Sequence, residues 1–528
     1  MGPRIEAVGG VGSGLRDVAG PVITTAEDLQ PGLAELGRLC ESCLGPAGCL
    51  KMVVTSAGSL VTTSSAPRLL PLLPLDNPLA EFLLAAARPL PDHRLFCIAM
   101  AARLLAAPPT STGRPVLRAA ELQDWLEAAA VQVDLGSLEQ MLSLAVTALA
   151  SKASGAGLLP GQVEKLGRAL VQAWLTSLPT GQDTLGEVVV RVGEGGGPDQ
   201  ITISPGLLFL LGPDQEQKAG DAAKLSGPVR LALCDVSLEP QVGEAWEGIT
   251  LEYDLESEAE WEERGAGQAG RGAALAAAGV QLLACQKVVG WQARRDLAQA
   301  GVAVLDRLGT AAFLRLQRLS GGRALPEPKA GREGDWGRLD WVEHIQVGDR
   351  TFLQLNNTDS GLVTLSLASL GSEQAAELEL VVARALDCLT ELATQPAPPR
   401  ALPGGGCLEA LLAARLTGDP ALRSALVRLS LAPGGLQLAR AGLDTATGHL
   451  YREEGAARCE CGLMSGPPPS WLPALSLLHS QAALPLVAAP PPAGPALLLD
   501  SLPAKRAALL TALEAAEGLS EIGAVLYC

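Results

Sequence analysis

Aromatic residues are scarce: Phe, Trp and Tyr make up 3% of the 528 residues. Packed interiors must therefore be built mainly from Leu, Ala and Val. Basic residues are also in short supply, with 40 Lys and Arg against 57 Asp and Glu, for a net charge of −17. Such a chain repels phosphate backbones and has no local basic patch, which argues against general nucleic-acid binding. Only four histidines occur, His93, His344, His449 and His479. They are far apart in sequence and form no HExxH or triad pattern. Met1 is followed by Gly-Pro-Arg rather than an apolar core, so no secretory signal is expected. Glu at position 6 argues against myristoylation at Gly2. The charge-free stretch from Cys461 to Leu499 carries nine prolines and predicts a loop, not a membrane span.

What is present is globular. Hydrophobic residues make up 48% and charged residues 18%, and the length allows about three domains with sizeable cores. Eleven cysteines, an odd number, suggest free thiols in a reducing compartment. Leu29, Leu33, Leu36, Leu39, Cys40 and Cys43 recur at helical spacing after a cap at Thr25, and LGPAG at 44–48 ends that helix. Residues Val53 to Ser64 read as a hairpin, and helical patterns dominate from Leu79 to Leu178. In the middle, strands over Val229 to Glu239, Val280 to Val289 and Val302 to Leu308 alternate with helices over Trp291 to Ala300 and Ala311 to Leu319. That alternation predicts a parallel α/β unit. After Thr364 the pattern returns to helices, notably Glu373 to Ala393 and Pro503 to Gly518, with a last short strand over Ile522 to Tyr527. The order helical, α/β, helical fits a domain inserted into a helical domain made from both chain ends.

Several segments, in order, resemble the group II chaperonins, the family of the cytosolic chaperonin-containing TCP-1 ring. LGPAGCLKMVV (Leu44 to Val54) resembles LGPKGMDKMLV, and TALASK (Thr147 to Lys152) resembles TSLSSK. ALCDVSLE (Ala232 to Glu239), LLACQKVV and DLAQAGV resemble that family's LLDCSLE, CQKGID and LAKAGI. ARALDCL (Ala383 to Leu389) followed by LPGGGCLEALLA resembles RSLHDAL followed by VPGGGAVE. The ending LLLDSLPAKRAALLTALEAAEGL is similar too. Within the family, the altered PDHRL loop (Pro91 to Leu95) and this ending resemble the McKusick–Kaufman/Bardet–Biedl chaperonin-like branch.

The resemblance implies an α+β multidomain chaperonin-like fold. Its helical equatorial domain would come from both chain ends (1–136 and 404–528). An intermediate hinge domain (137–200 and 361–403) and an inserted α/β apical domain that binds substrates and partners (201–360) would complete it. By resemblance, Leu44, Gly45 and Pro46 line a nucleotide, and Gly404, Gly405 and Gly406 approach it through backbone. Lys152 meets the γ-phosphate end, Asp92 holds Mg²⁺, Asp387 orients the attacking water and Asp500 lies on the ribose side. ATP and Mg²⁺ are the implied cofactors. Two motifs depart from the family. GDGTT has become Pro91 to Leu95, which keeps Asp92 but replaces Gly, Thr and Thr with His93, Arg94 and Leu95. NDGAT has become Thr63 to Pro67, so Ser64 stands where the family has a catalytic carboxylate. Each lost role is expected to cost roughly 10²-fold or more in rate. Arg94 offers positive charge to a bound phosphate, so binding is expected to suffer less than turnover.

The resemblance therefore implies a chaperone or assembly factor with a degenerate nucleotide site, located in the cytoplasm at the centrosome and ciliary base. Its implied partners are other chaperonin-like proteins, the TCP-1 ring and subunits of the Bardet–Biedl complex. An active ATP-dependent folding subunit of a ring is the alternative, and a scaffold that binds no nucleotide is a third. Trp261, among Glu258, Glu260, Glu262 and Glu263, is a candidate partner anchor or else a residue packed on its own domain. No zinc is expected: Cys40 and Cys43 fall on a buried helix face, there is no second CxxC, and Cys459 and Cys461 are spaced too tightly for a typical finger. GGVGSG (Gly9 to Gly14) has no preceding strand and reads as a flexible N-terminus rather than a dinucleotide loop.

Overall fold

The computed structural model describes residues 22–46, 48–106, 119–178, 185–210, 225, 227–238, 271–326, 331–347, 350–416, 419–431, 441–477, 497–522 and 524–527. The first helix runs Ala26–Glu41 and buries Leu33, Leu36 and Cys40, as its spacing predicts. The hairpin follows as strands Lys51–Val54 and Leu60–Thr63. Helix Arg94–Leu105 buries every residue from Leu95 to Ala102. A helix apolar on all sides belongs at the centre of a bundle. It packs against Ala26–Glu41 on one side and the late helix Leu502–Ser520 on another. The two chain ends also meet as strands, Val22–Thr25 pairing antiparallel with Ala524–Tyr527. The largest core contains Leu33 and Leu36 from the beginning of the chain and Leu509 and Leu519 from its end.

The middle of the chain forms the expected parallel unit. Strands Val229–Cys234, Leu282–Cys285 and Ala303–Leu305 pair in parallel; helix Trp291–Gln299 joins the last two, and helix Gly309–Ser320 leads on to Ala324–Leu325, which returns parallel to Val229–Cys234. The observed strands are shorter than the apolar runs suggest. Period-two alternation sends their side chains into two separate cores. Leu231, Leu233, Leu282 and Ala284 fill one, while Ala232, Cys234, Leu283 and Cys285 fill the other. Covered on both faces, these strands read as continuous apolar runs.

Four three-stranded sheets were not anticipated among the described residues, and two of them lie next to the elements that carry the site. Leu362–Ser369 is a strand, parallel to Glu187–Glu194 and antiparallel to Ile201–Pro205, where a return to helices is predicted from Thr364. Arg400–Pro403 pairs with Leu499–Ser501 on one side and Val131–Gln132 on the other. This small sheet sets the glycine-rich run at 404–406 beside Asp500. The long helix Ser372–Thr394 lies close to its predicted limits. Among the described residues, no helix is long and apolar enough to cross a membrane.

Candidate functional site

A cavity of about 540 Å³ opens where these elements converge. Leu44, Gly45 and Pro46 line it from the early part of the chain, and Gly405, Gly406 and Asp500 from the late part. Asp92, Lys152 and Asp387 also line it. Nine of the ten nucleotide-site candidates therefore share one cavity. Gly404 lies just behind its wall, its N–H donating to Leu498 O at 2.8 Å. Trp261 and the acidic run around it lie outside the described residues.

The glycine loop is tightly constrained. Gly405 and Gly406 have φ of 63° and 86°, the left-handed region that favours glycine. A Cβ on Gly406 would sit 1.9 Å from Ser430 O. Backbone therefore lines the cavity where any side chain would collide. His93, at the N-cap position of helix Arg94–Leu105, also sits in left-handed conformation, with φ 58° and ψ 21°. A positive φ is uncommon for a residue other than glycine, and here a large one adopts it. The imidazole is almost wholly buried and meets the Phe96 ring edge-on, with centroids 6.3 Å apart.

Asp92 does not stand open to a metal. Arg384 Nε donates to its Oδ2 at 2.6 Å, and the His93 N–H donates to Oδ1 at 2.6 Å. Burial pushes the Asp92 carboxyl up, but Arg384, His93 and that N–H outweigh burial and hold it at about 2. Lys152 Nζ donates to the carbonyls of Cys43 and Ser64, the latter at 2.8 Å. Burial, and then the charge of Arg384, lower the Lys152 ammonium to about 8. Asp387 is raised by the desolvating cavity walls and then by the Asp92 charge. Ser64 is buried and is not part of the lining; Ser65, Ala66 and Pro67 are. Glu377 holds this segment in place, accepting from Thr63 Oγ1, from the Ser64 N–H at 3.4 Å and from Ser65 Oγ at 2.8 Å.

Several lining residues were missed in the sequence. Arg384 precedes Asp387 by one helical turn, a spacing that places both on one face. Lys505 is buried, pairs with Glu409 and lies 3.9 Å over the Phe96 ring. Glu409 follows the glycine loop by three residues, the position of the Glu that closes the VPGGGAVE motif. Arg452 and Glu460 line the cavity from a hairpin region whose position no local pattern reveals.

Helices closed by both chain ends, a nested parallel α/β unit and a glycine-loop cavity between the two ends are the organisation of a chaperonin-like protein. The profile of the TCP-1/cpn60 chaperonin family matches residues 118–423, more than half of the chain, and the chain belongs to that family. It is 25% identical over 410 residues to the molecular chaperone MKKS of Mus musculus, covering 74% of this chain and 70% of that protein. The Homo sapiens MKKS matches at 25% over the same length and with the same coverage. A thermosome subunit alpha from Saccharolobus shibatae is 22% identical over 408 residues, covering 72% of this chain and 71% of the relative.

Proposed function

We propose that this chaperonin-like chain acts as an assembly factor that binds client and partner proteins and holds a nucleotide without turning it over efficiently. The Asp92–Arg384 ion pair carries this reading. An arginine already occupies the carboxylate that would hold Mg²⁺, and a metal would have to displace it. The glycine loop, Lys152, Arg94 and Arg384 suit a phosphate group directly, through backbone approach and fixed positive charge. Bound ATP would supply those phosphates, and Lys152 would face their terminal end. The residues present thus fit the nucleotide better than they fit its metal. Ser64 and the His93-Arg94-Leu95 sequence leave no carboxylate or hydroxyl at positions where the family uses them.

The domain assignment is part of this proposal: 1–136 and 404–528 equatorial, 137–200 and 361–403 intermediate, 201–360 apical. Pairing of the two chain ends and the shared cavity wall support it. Its likeness to molecular chaperones and to a thermosome subunit supports association with other chaperonin-like proteins and the TCP-1 ring. The resemblance of the Pro91 to Leu95 loop and of the ending to the McKusick–Kaufman/Bardet–Biedl branch is the basis for the finer part of the proposal, a role in assembling the ciliary Bardet–Biedl complex at the centrosome and ciliary base.

Equilibrium binding of labelled ATP with and without Mg²⁺, beside a turnover assay, tests the nucleotide reading. Binding that is largely indifferent to Mg²⁺, with turnover far below that of an intact chaperonin subunit, is expected. Turnover at the rate of an intact subunit would refute it. Native mass spectrometry of the complex isolated from ciliated cells tests the partners; recovery of the chain without any chaperonin-like protein would remove that part.

A further inference from the structure

Behind the glycine loop, and outside the cavity, four metal-ligating side chains converge. Cys407, His449, Cys459 and Cys461 are all buried, and their ligand atoms lie within 4.8 Å of one another. Cys459 Sγ is 3.4 Å from Cys461 Sγ, and Cys461 Sγ is 3.4 Å from His449 Nδ1. The expectation of no zinc considered Cys459 and Cys461 beside CxxC partners. The fold instead brings them Cys407 from 52 residues upstream and His449 from the turn before strand Leu450–Tyr451.

We propose that these four residues form a structural zinc site of Cys₃His type. A tetrahedral ion with bonds of about 2.3 Å to sulfur and about 2.0 Å to nitrogen separates its ligand atoms by about 3.5–3.8 Å. The two observed 3.4 Å separations need only a small expansion to meet that geometry. A disulfide is a poor alternative, because it would require the 3.4 Å separation to contract to about 2.05 Å. Soft thiolates with one imidazole select zinc over Mg²⁺ or Ca²⁺. Four buried ligands with no open side define a structural rather than a catalytic site.

The surroundings suit thiolates. Cys407 is the first residue of helix Cys407–Arg415, whose N-terminus favours negative charge. The Met464 N–H donates to Cys459 Sγ at 3.2 Å, and the Cys459 N–H donates to Met464 O at 3.1 Å, closing a tight turn around the sulfur. Backbone donors to ligating sulfurs fix their orientation. On binding, each Cys S–H loses its proton to solvent and the sulfur lone pair forms the bond to Zn²⁺; no electron is transferred. Zinc would tie the helix that follows Gly406 to the segment carrying Glu460. Both Gly406 and Glu460 line the cavity, so the ion would brace two of its walls from behind. This proposal does not depend on what the cavity binds.

The test uses the full chain, purified under reducing conditions after expression with added zinc. Elemental mass spectrometry is expected to find about one zinc per chain. Exchange with Co²⁺ should give tetrahedral d–d bands and a sulfur-to-cobalt charge-transfer band. Cys461→Ser and Cys407→Ser should lose the metal, whereas Cys49→Ser, at an exposed cysteine outside the cluster, should keep it. If the serine variants fail to fold, Cys461→His keeps a ligand and should bind cobalt with a weaker charge-transfer band. Wild-type protein without zinc after reduction and reconstitution overturns the proposal. So does a Cys459–Cys461 disulfide in the reduced preparation, or a cobalt spectrum identical in Cys461→His and wild type.

Discussion

With Arg384 replaced by Met, the Asp92 carboxylate stays largely buried without its cation. The loss should be about 2 kcal/mol at neutral pH, less than for a fully buried pair because both side chains retain some solvent contact. In the wild type, Asp92 is held at about 2 against an ordinary 3.8. Its stabilisation is complete above pH 3.8 and lost as pH falls through about 2. In Arg384→Met, burial is left to raise the carboxyl, so the deficit should shrink as acid protonates Asp92. Urea unfolding at pH 7 and at pH 3, below the ordinary 3.8, checks this; an equal deficit at both would reject the pairing. The same variant should make nucleotide binding depend on Mg²⁺, because the carboxylate becomes free for a cation.

At Lys152 folding disfavours the charged form, whereas at Asp92 it favours it. Its ammonium is lowered from 10.5 to about 8, so the unfolded chain keeps the proton longer, and folding stability rises with pH between those values. Phosphate binding needs the charged form. Affinity for ATP should fall as pH rises through about 8, and Lys152→Met should flatten that dependence. Calorimetric titrations at several pH values measure it, and an unchanged slope in the variant would exclude Lys152 as the phosphate contact. These two residues were legible at different levels. Lys152 was named from its motif, but its partners, the Cys43 and Ser64 carbonyls, lie 109 and 88 residues away in the chain. No local pattern encodes such a distance.

Among the elements, the glycine loop between strand Arg400–Pro403 and helix Cys407–Arg415 is the most constrained. Gly406→Ala would force a Cβ against Ser430 O in a left-handed backbone. The collision should cost about 1–3 kcal/mol, with the backbone conformation adding about 1 more. Gly161→Ala is the control: it lies in helix Pro160–Ser177, and nothing within 4 Å meets the added Cβ. That change should be neutral or stabilise by up to about 1 kcal/mol. Thermal unfolding of both variants checks the pair, and similar midpoints would show that the loop is not close-packed. The run of three glycines announced this loop in the sequence. The strand before it went unnoticed because four residues are too few to show a period, and its partners come from residues 131–132 and 499–501.

At the scale of the whole molecule, the cores are separate. The helices from both chain ends share one, while the parallel sheet has its own on each face. Calorimetry should therefore resolve two unfolding transitions. Leu283→Ala, in the sheet, and Leu509→Ala, in the late helix, should each cost about 2–5 kcal/mol and shift different transitions. A single transition moved equally by both would show one cooperative unit.

The sequence by itself determined what repeats locally. Helical stripes such as Leu33, Leu36 and Cys40, the strand and helix alternation after Val229, and the glycine run were all readable, because burial on one face imposes a period on the chain. Collinear motifs carried the family, since a shared backbone geometry constrains short segments in order. Only the tertiary structure decided what depends on distant segments meeting. It placed Arg384 on Asp92, buried Ser64 beneath Glu377, and gathered Cys407 and His449 around Cys459 and Cys461. Charge pairing and metal ligation act over a few ångströms between residues dozens to hundreds of positions apart, and neither leaves a period in the chain.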